Sequence, residues 1–276
     1  MFGLEQSRET RHLPKLTVDA RAAATHPPKQ NLLLAALPAA DYQRLEPHLE
    51  PVELTLGCSV YEPGEPLDYV FFPTAGIVSL LYVLADGATT EFALVGNCGM
   101  VGIATFTGGD STPSRAVVVS AGHAYRLKKR VLMREFERGG ELQHVLLRYT
   151  QALITQVAQT AVCNRHHTVE QRLCRWLLLC LDRQSDYELH MTQELIANML
   201  GVRREGVSEA AGRLQDAGLI QSQRVHITVL DRPGLERQVC ECYAVVEREA
   251  DRLFSWKHVP RAPQAAGWAG GAILTT

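Results

Sequence analysis

Residues 191–220, MTQELIANMLGVRREGVSEAAGRLQDAGLI, constrain this chain more than any other stretch. Thr192 stands as an N-cap, and Leu195, Ile196, Met199 and Leu200 recur at the spacing of a buried helix face, which predicts a helix over 193–200. Gly201 follows where a chain leaving a helix turns left-handed at little cost, and Val202 plugs the corner behind it. A second helix is predicted to begin near Arg203, with Val207, Ala210, Ala211 and Leu214 facing inward. That leaves Arg203, Arg204, Glu205, Ser208 and Glu209 near its exposed N-terminal end, the end that enters the major groove when such a helix pair reads DNA. After Gly218, strand-like runs at 219–221 and 225–230 around a polar turn read as a wing, with Arg224 and His226 near backbone phosphates.

The residue types suit that geometry. Arg204 is able to donate two parallel bonds to guanine, Glu205 to accept from the cytosine amino group, and Ser208 to meet a base edge or a phosphate. Thr192, Gln193, Arg203, Glu209 and Arg224 complete the expected DNA-contacting set. An amphipathic helical hairpin inside a larger domain is the simpler account of the helix pair alone, and the hairpin that follows argues against it. Charge sets a limit. The net charge is −2, and acidic and basic residues nearly balance over 187–232, so binding must rest on a few directed contacts and non-specific affinity should be weak.

With 276 residues and 46% hydrophobic content, the chain is long enough for two domains with real cores. No apolar run approaches a bilayer span, and MFGLEQSRETRHLPK lacks the basic start and apolar block of a signal peptide, so a cytoplasmic protein without membrane partners is expected. Seven Cys scattered along the chain argue for reduced thiols.

The fold class expected is α+β. Residues 1–30 read as a flexible leader and 31–140 as a sensor barrel that opens with two short helices broken at Pro38. From Pro51 onward, β-rich runs separated by turns (VELTLG, SVYEPGEPLDYVFFP, GIVSLLYVLADGATTEFALVG, RAVVVSAGHAYRL) read as an antiparallel β jelly roll or small barrel, with a hairpin turn at Ala85, Asp86 and Gly87. Residues 141–166 read as one long helix. Its apolar stripe includes Leu146, Tyr149, Leu153 and Val157, offered as the seam of a two-fold helix pair, the alternative being that it packs on its own barrel, with both together expected. A further apolar helix over 169–181 opens a winged helix-turn-helix domain, 167–254, and 255–276 read as a flexible tail.

With barrel, long helix and winged helix-turn-helix in that order, the chain resembles the Crp/Fnr family of bacterial transcription regulators. The resemblance covers about 31–251 and is sharpest in VYEPGEPLDYVFFPTAGIVSL and in the helix-turn-helix. It implies a homodimeric regulator on a palindromic operator, with double-stranded DNA, a second copy of the chain, RNA polymerase and a small-molecule effector as partners. In the family pattern the recognition helix begins with residues equivalent to Arg204 and Glu205, and both match. Ser208 matches the Fnr branch, whereas Glu209 stands where the well-known branches carry Arg.

The effector side departs further from the family. Cyclic-nucleotide-binding members hold ribose with Gly-Glu-Leu and phosphate with Arg followed by Ser or Thr. Here the segment reads GNCGMVGIATFTGGDSTPSRAVVV, with Met100 after Gly99 in place of Glu, and Arg115 followed by Ala116. The long-helix positions that face adenine fall at Val157 and Ala158, without side-chain hydrogen bonds. Cyclic AMP is therefore not expected, and Gly99, Met100 and Arg115 mark the candidate pocket of another effector, or a closed one.

No cofactor or metal is expected. An iron–sulfur member needs four thiolates, mostly near the N-terminus, and the first Cys here is Cys58. Cys58, Cys98 and Cys163 read as isolated, Cys174 and Cys180 as buried structural thiols, and Cys240-Glu-Cys242 as two thiolates short of the remaining ligands of a zinc centre. His166 and His167 read as part of an exposed polar hinge. A second functional reading is a small-molecule sensor whose winged domain makes protein contacts. A metal-dependent enzyme is not expected, because the barrel strands offer only His123 toward a metal cluster.

Overall fold

The computed structural model describes residue 16 and residues 26–183, 188–189, 191–223 and 226–254. The end of the expected leader is anchored. Pro28–Gln30 forms a 3₁₀ turn, Tyr125 donates its hydroxyl to the His26 carbonyl at 3.0 Å, and Leu16 packs on the sensor core. The expected tail, 255–276, lies outside the described residues. Asn31 then ties the chain to the sheet: its side-chain oxygen caps α1 (Leu32–Ala35), while its amide donates to the Pro73 and Gly99 carbonyls. Pro38 breaks the helical run as expected, and α2 (Ala39–Leu45) follows.

The sensor sheet is built from β1 (Glu50–Leu54), β2 (Ser59–Tyr61), β3 (Tyr69–Val83), β4 (Thr89–Val95) and, after the single turn α3 (Ala104–Thr107), β5 (Arg115–Lys128). All pairs are antiparallel, in the order β1-β5-β3-β4 with β2 also on β5, and Val52 faces Ala124, Phe72 faces Tyr125 and Leu80 faces Ala93. The expectation of separate short strands is corrected here. β5 (14 residues) fills the predicted run at 115–127, but β3 runs for 15 residues and joins two predicted runs, because register shifts between Pro73 and Val78 let one strand bend without ending. Gly76 at φ +83° and Gly122 permit the bend, since a Cβ on Gly122 would stand 2.3 Å from the Ala75 carbonyl oxygen.

Two amphipathic helices close this half, α4 (Lys129–Glu137) and the long α5 (Glu141–His166). Leu142, Val145, Leu146, Tyr149 and Leu153 of α5 join Val52, Phe72, Val95 and Leu127 in one buried core. Burying side chains of this size contributes roughly 1.5–3 kcal/mol each, so the stripe holds the helix to its own sheet.

The second half begins with α6 (Val169–Leu181), started by a Thr168–Gln171 capping box, and continues through β6 (Glu188–Leu189), α7 (Gln193–Leu200), α8 (Arg204–Asp216), β7 (Ile220–Gln223), β8 (His226–Val229), α9 (Arg232–Gln238) and α10 (Cys242–Phe254). β6, β8 and β7 form a small antiparallel sheet, the wing. The core of this half is continuous with the far face of the sensor sheet. Ile77, Leu81, Leu94 and Val119 pack with Trp176, Leu177, Met199 and Leu200, and the two expected domains thus share a core. No helix among the described residues is long and apolar enough to cross a membrane.

Candidate functional site

The helix-turn-helix forms for the reasons its sequence carries. Thr192 Oγ1 accepts from the Leu195 N–H at 3.1 Å to start α7, and Gly201 ends it at φ +61°. Arg203 is extended and is the N-cap of α8, which begins at Arg204, near Arg203 as predicted. Val207, Ala210, Ala211 and Leu214 are all buried, so the inner face is the predicted one. At the outer N-terminal end Arg203, Arg204, Glu205 and Glu209 are exposed, and among the described residues none of the four side chains is held by a hydrogen bond or ion pair. Ser208 is half-buried and donates to Gln193 Oε1 at 2.6 Å, while Gln193 Nε2 lies 3.5 Å from Ser222 Oγ on the wing.

β8 falls within the predicted run 225–230, whereas β7 is shifted from the predicted 219–221. The Leu219 N–H is spent on the Leu214 carbonyl at the end of α8, so β7 starts at Ile220. Arg224 lies outside the described residues.

The segment expected to hold an effector is closely packed. Met100 is fully buried, its carbonyl accepts from the Tyr149 hydroxyl at 2.9 Å, and a Cβ on Gly99 would meet that hydroxyl at 2.6 Å. Arg115 is paired with Glu62, with Nη2 2.6 Å from the carboxylate. The cavity beside Gly99, between Tyr149, Gln156 and Arg183 and under Phe254 of α10, measures about 40 Å³, room for a water or two.

The position of α5 corrects one expectation. Leu146, Tyr149 and Leu153 are buried within their own chain and Val157 is partly buried against the same core, because the sensor sheet needs an apolar cover along that edge. The apolar face left exposed is turned around the helix: Leu147 and Ile154, seven residues apart, are 49% and 55% exposed, with Ala158, Ala161 and Val162 continuing the line.

The contact between the two halves centres on Glu91 of β4. Its carboxylate accepts from Ser79 Oγ at 2.6 Å and from Trp176 Nε1 of α6 at 3.0 Å. Burial pushes the group up to about 7 in spite of these two bonds and the positive charges of Arg175 and Arg183. The turn of the helix pair rests on the same strand, since a Cβ on Gly201 would come within 3.1 Å of Thr90 Oγ1.

The cysteines do not lie as the sequence suggested. Cys163 is not isolated, and Cys240-Glu-Cys242 is not short of partners. Both meet His167 in one buried cluster with all four donor atoms within 4.8 Å of one another. His166 is exposed, but His167 turns inward with its side chain 12% exposed. The signal available in the sequence was the i, i+4 pairing of Cys163 with His167, matched by a second close pair far along the chain.

Comparison with known proteins agrees with this architecture. Residues 51–138 match the cyclic nucleotide-binding domain and residues 171–238 the Crp-like helix-turn-helix domain. The transcriptional regulatory protein btr of Bordetella pertussis is 27% identical over 215 residues, 74% of this chain and 87% of the relative. A CRP-like cAMP-activated global transcriptional regulator of Mycobacterium tuberculosis is 25% identical over 202 residues, 70% and 90% of the two chains. Among solved structures, a CRP-family transcriptional regulator from Thermus thermophilus superposes with a TM-score of 0.57 at 20% identity, over 67% of this chain and 95% of its own, a likeness of fold.

Proposed function

Because the chain belongs to the Crp/Fnr family of transcription regulators, we propose that it acts as a homodimer on a palindromic DNA operator, under an effector other than cyclic AMP. The observation that carries the DNA reading is the N-terminal end of α8. A buried inner face fixes the helix, while Arg203, Arg204, Glu205 and Glu209 stand exposed and unengaged among the described residues, ready for base edges and phosphates. Thr192, Gln193 and Ser208 are assigned to positioning: the first caps α7, and the other two bond to each other across the helix pair. Arg224 keeps its assignment as a phosphate contact from the sequence alone.

The dimer seam we assign to Leu147, Ile154, Ala158, Ala161 and Val162, the apolar line that the chain's own core does not cover. Support for a different effector comes from three residues. Met100 offers no acceptor to a ribose, Tyr149 covers Gly99, and Glu62 already neutralises Arg115. The mycobacterial relative is named for activation by cyclic AMP; this chain's pocket residues favour another ligand, with RNA polymerase as a further partner once DNA is bound.

Selection of binding sites from genomic fragments, followed by footprinting at fixed salt, tests the reading. It should return a two-fold symmetric sequence with half-sites about one helical turn apart, roughly 34 Å. Equal affinity for random DNA would refute it, and a protein that binds a metabolite and a protein partner but no DNA would favour a sensor with a protein-binding wing.

A further inference from the structure

Two short pairs of residues, far apart in the chain, meet at one point. Cys163 and His167 are four residues apart at the C-terminal end of α5 and project from the same face. Cys240 and Cys242 flank Glu241, the first in the link after α9 and the second as the first residue of α10. Cys163 Sγ stands 3.6 Å from Cys240 Sγ, Cys242 Sγ stands 3.5 Å from His167 Nδ1, and no two of the four donor atoms are more than 4.8 Å apart. A tetrahedral zinc ion, with bonds of about 2.3 Å to sulfur and about 2.0 Å to nitrogen, spaces its ligands by roughly 3.8 Å between sulfurs and roughly 3.5 Å between sulfur and nitrogen. The two short edges are of that size, and the others lie within reach of a small inward shift.

We propose that Cys163, His167, Cys240 and Cys242 form a tetrahedral Cys₃His site for a zinc ion that clamps the end of the long helix to the start of the last one. Binding displaces the three thiol protons to solvent and leaves three thiolates and a neutral imidazole on the metal.

Surrounding groups fit this chemistry. His167 Nε2 lies 3.3 Å from the Glu241 carboxylate, so that nitrogen carries the proton and Nδ1, already facing Cys242, is free to bind metal. Three thiolates on a divalent ion carry a net charge of −1. On α6, Arg172 and Arg175 have buried Nε atoms without a hydrogen-bond partner among the described residues, and both guanidinium groups act electrostatically on Cys163. Their charge and free N–H groups suit a thiolate-rich centre.

Competing accounts explain less. A disulfide between Cys163 and Cys240 would leave the convergence of Cys242 and His167 without a cause. An iron–sulfur cluster spreads its protein ligands over several irons, wider than this group allows. All four residues also lie outside the two matched segments, 51–138 and 171–238, so the site does not follow from the family resemblance.

The test uses the full chain, expressed with zinc and purified without chelators under a reducing atmosphere. Metal analysis should find about one zinc per chain, and Cys242→Ser and His167→Ala should each lower it to below roughly a tenth. Cys98→Ser should leave it unchanged. Cobalt(II) alone, added to the chelator-stripped protein, should give the visible bands of a tetrahedral thiolate-bound ion, and His167→Cys should retain metal with those bands shifted by a fourth sulfur. Should Cys242→Ser or His167→Ala fail to fold, the wild-type cobalt spectrum and the His167→Cys shift decide. Folded wild-type protein that takes up neither ion, zinc binding indifferent to both substitutions, an octahedral cobalt spectrum, or a Cys163–Cys240 disulfide in the purified protein would each overturn the site.

Discussion

Replacing Glu91 by Gln separates a charge from the hydrogen bonds it makes. The side chain sits on β4 under α6, 7% exposed, bonded to Ser79 and Trp176 and facing Arg175 and Arg183. Gln is able to keep both bonds, accepting from Trp176 Nε1 with its carbonyl and donating to Ser79 Oγ with its amide. What it removes is ionisation. Burial raises the Glu91 carboxyl from 4.5 to about 7 in the folded chain. Between those two pH values the folded state keeps a proton that the unfolded state has lost, so stability falls as pH rises from about 4.5 and levels off above about 7. The full window is worth about 3 kcal/mol at ~1.4 kcal/mol per pH unit, and about 2 kcal/mol of it falls between pH 5.5 and pH 8. Denaturant unfolding of both proteins at those two pH values should therefore show Glu91→Gln gaining about 2 kcal/mol on the wild type as pH rises. An unchanged difference between the proteins at the two pH values would refute the reasoning, and would mean that Arg175 and Arg183 hold Glu91 ionised throughout.

Arg204→Ala should cost roughly 1–3 kcal/mol in operator affinity at fixed salt while leaving random-sequence binding nearly intact; equal losses on both would make Arg204 a phosphate contact. Ile154→Glu places a charge on the exposed line of α5 and should shift the sedimentation profile toward monomer with little change in unfolding midpoint, whereas Leu146→Ala, in the buried stripe, should lower stability by about 2–5 kcal/mol. An unaltered profile for Ile154→Glu would place the seam on another face. Gly99→Ala drives a methyl group into the Tyr149 hydroxyl, 2.6 Å from the added Cβ, and should destabilise the chain by about 1–3 kcal/mol, as read by thermal unfolding; wild-type stability would show that α5 yields easily at this point.

The features that were legible in the sequence are those determined within one or two helical turns. The Thr192 cap, the Gly201 turn, the inner face of α8 and the span of α5 all follow from neighbours along the chain, and the structure has them where the spacing puts them. Strand ends were less legible, because whether β3 ends at Pro73 or bends through it is decided by its partner β5 and by Gly122, some fifty residues away. Partner choice was the least legible. The stripe on α5 was read correctly as apolar, but periodicity gives the direction of a face and not what covers it, and the sensor sheet takes Leu146, Tyr149 and Leu153 before a second chain is able to. Arg115 was singled out as a lone cation, and only the fold brings Glu62 to it.

The cysteine cluster shows the same limit from the other side. Read singly, each Cys is a buried thiol, and read as a local motif Cys240-Glu-Cys242 lacks two ligands; the missing pair sits on another helix more than seventy residues earlier. What joins the two is α5, and this gives the long helix a use beyond a dimer seam. Near its middle Tyr149 holds the Met100 carbonyl of the effector segment, and Gln156 donates to the Leu94 carbonyl of β4 while accepting from Arg183. At its C-terminal end Cys163 and His167 hold the link to α10, which folds back along the same helix over the cavity beside Gly99. A displacement of the segment around Gly99 and Met100 therefore reaches α5 through the buried Tyr149 hydroxyl and the packing around it. It reaches the DNA-binding half through the shared core, through the bond from Arg183 to Gln156, and at the helix end. A rigid metal clamp at Cys163 and His167 makes that end a pivot, whereas free thiols leave it held by packing, by the Glu241 pairing and by the Arg175 bond to Thr160.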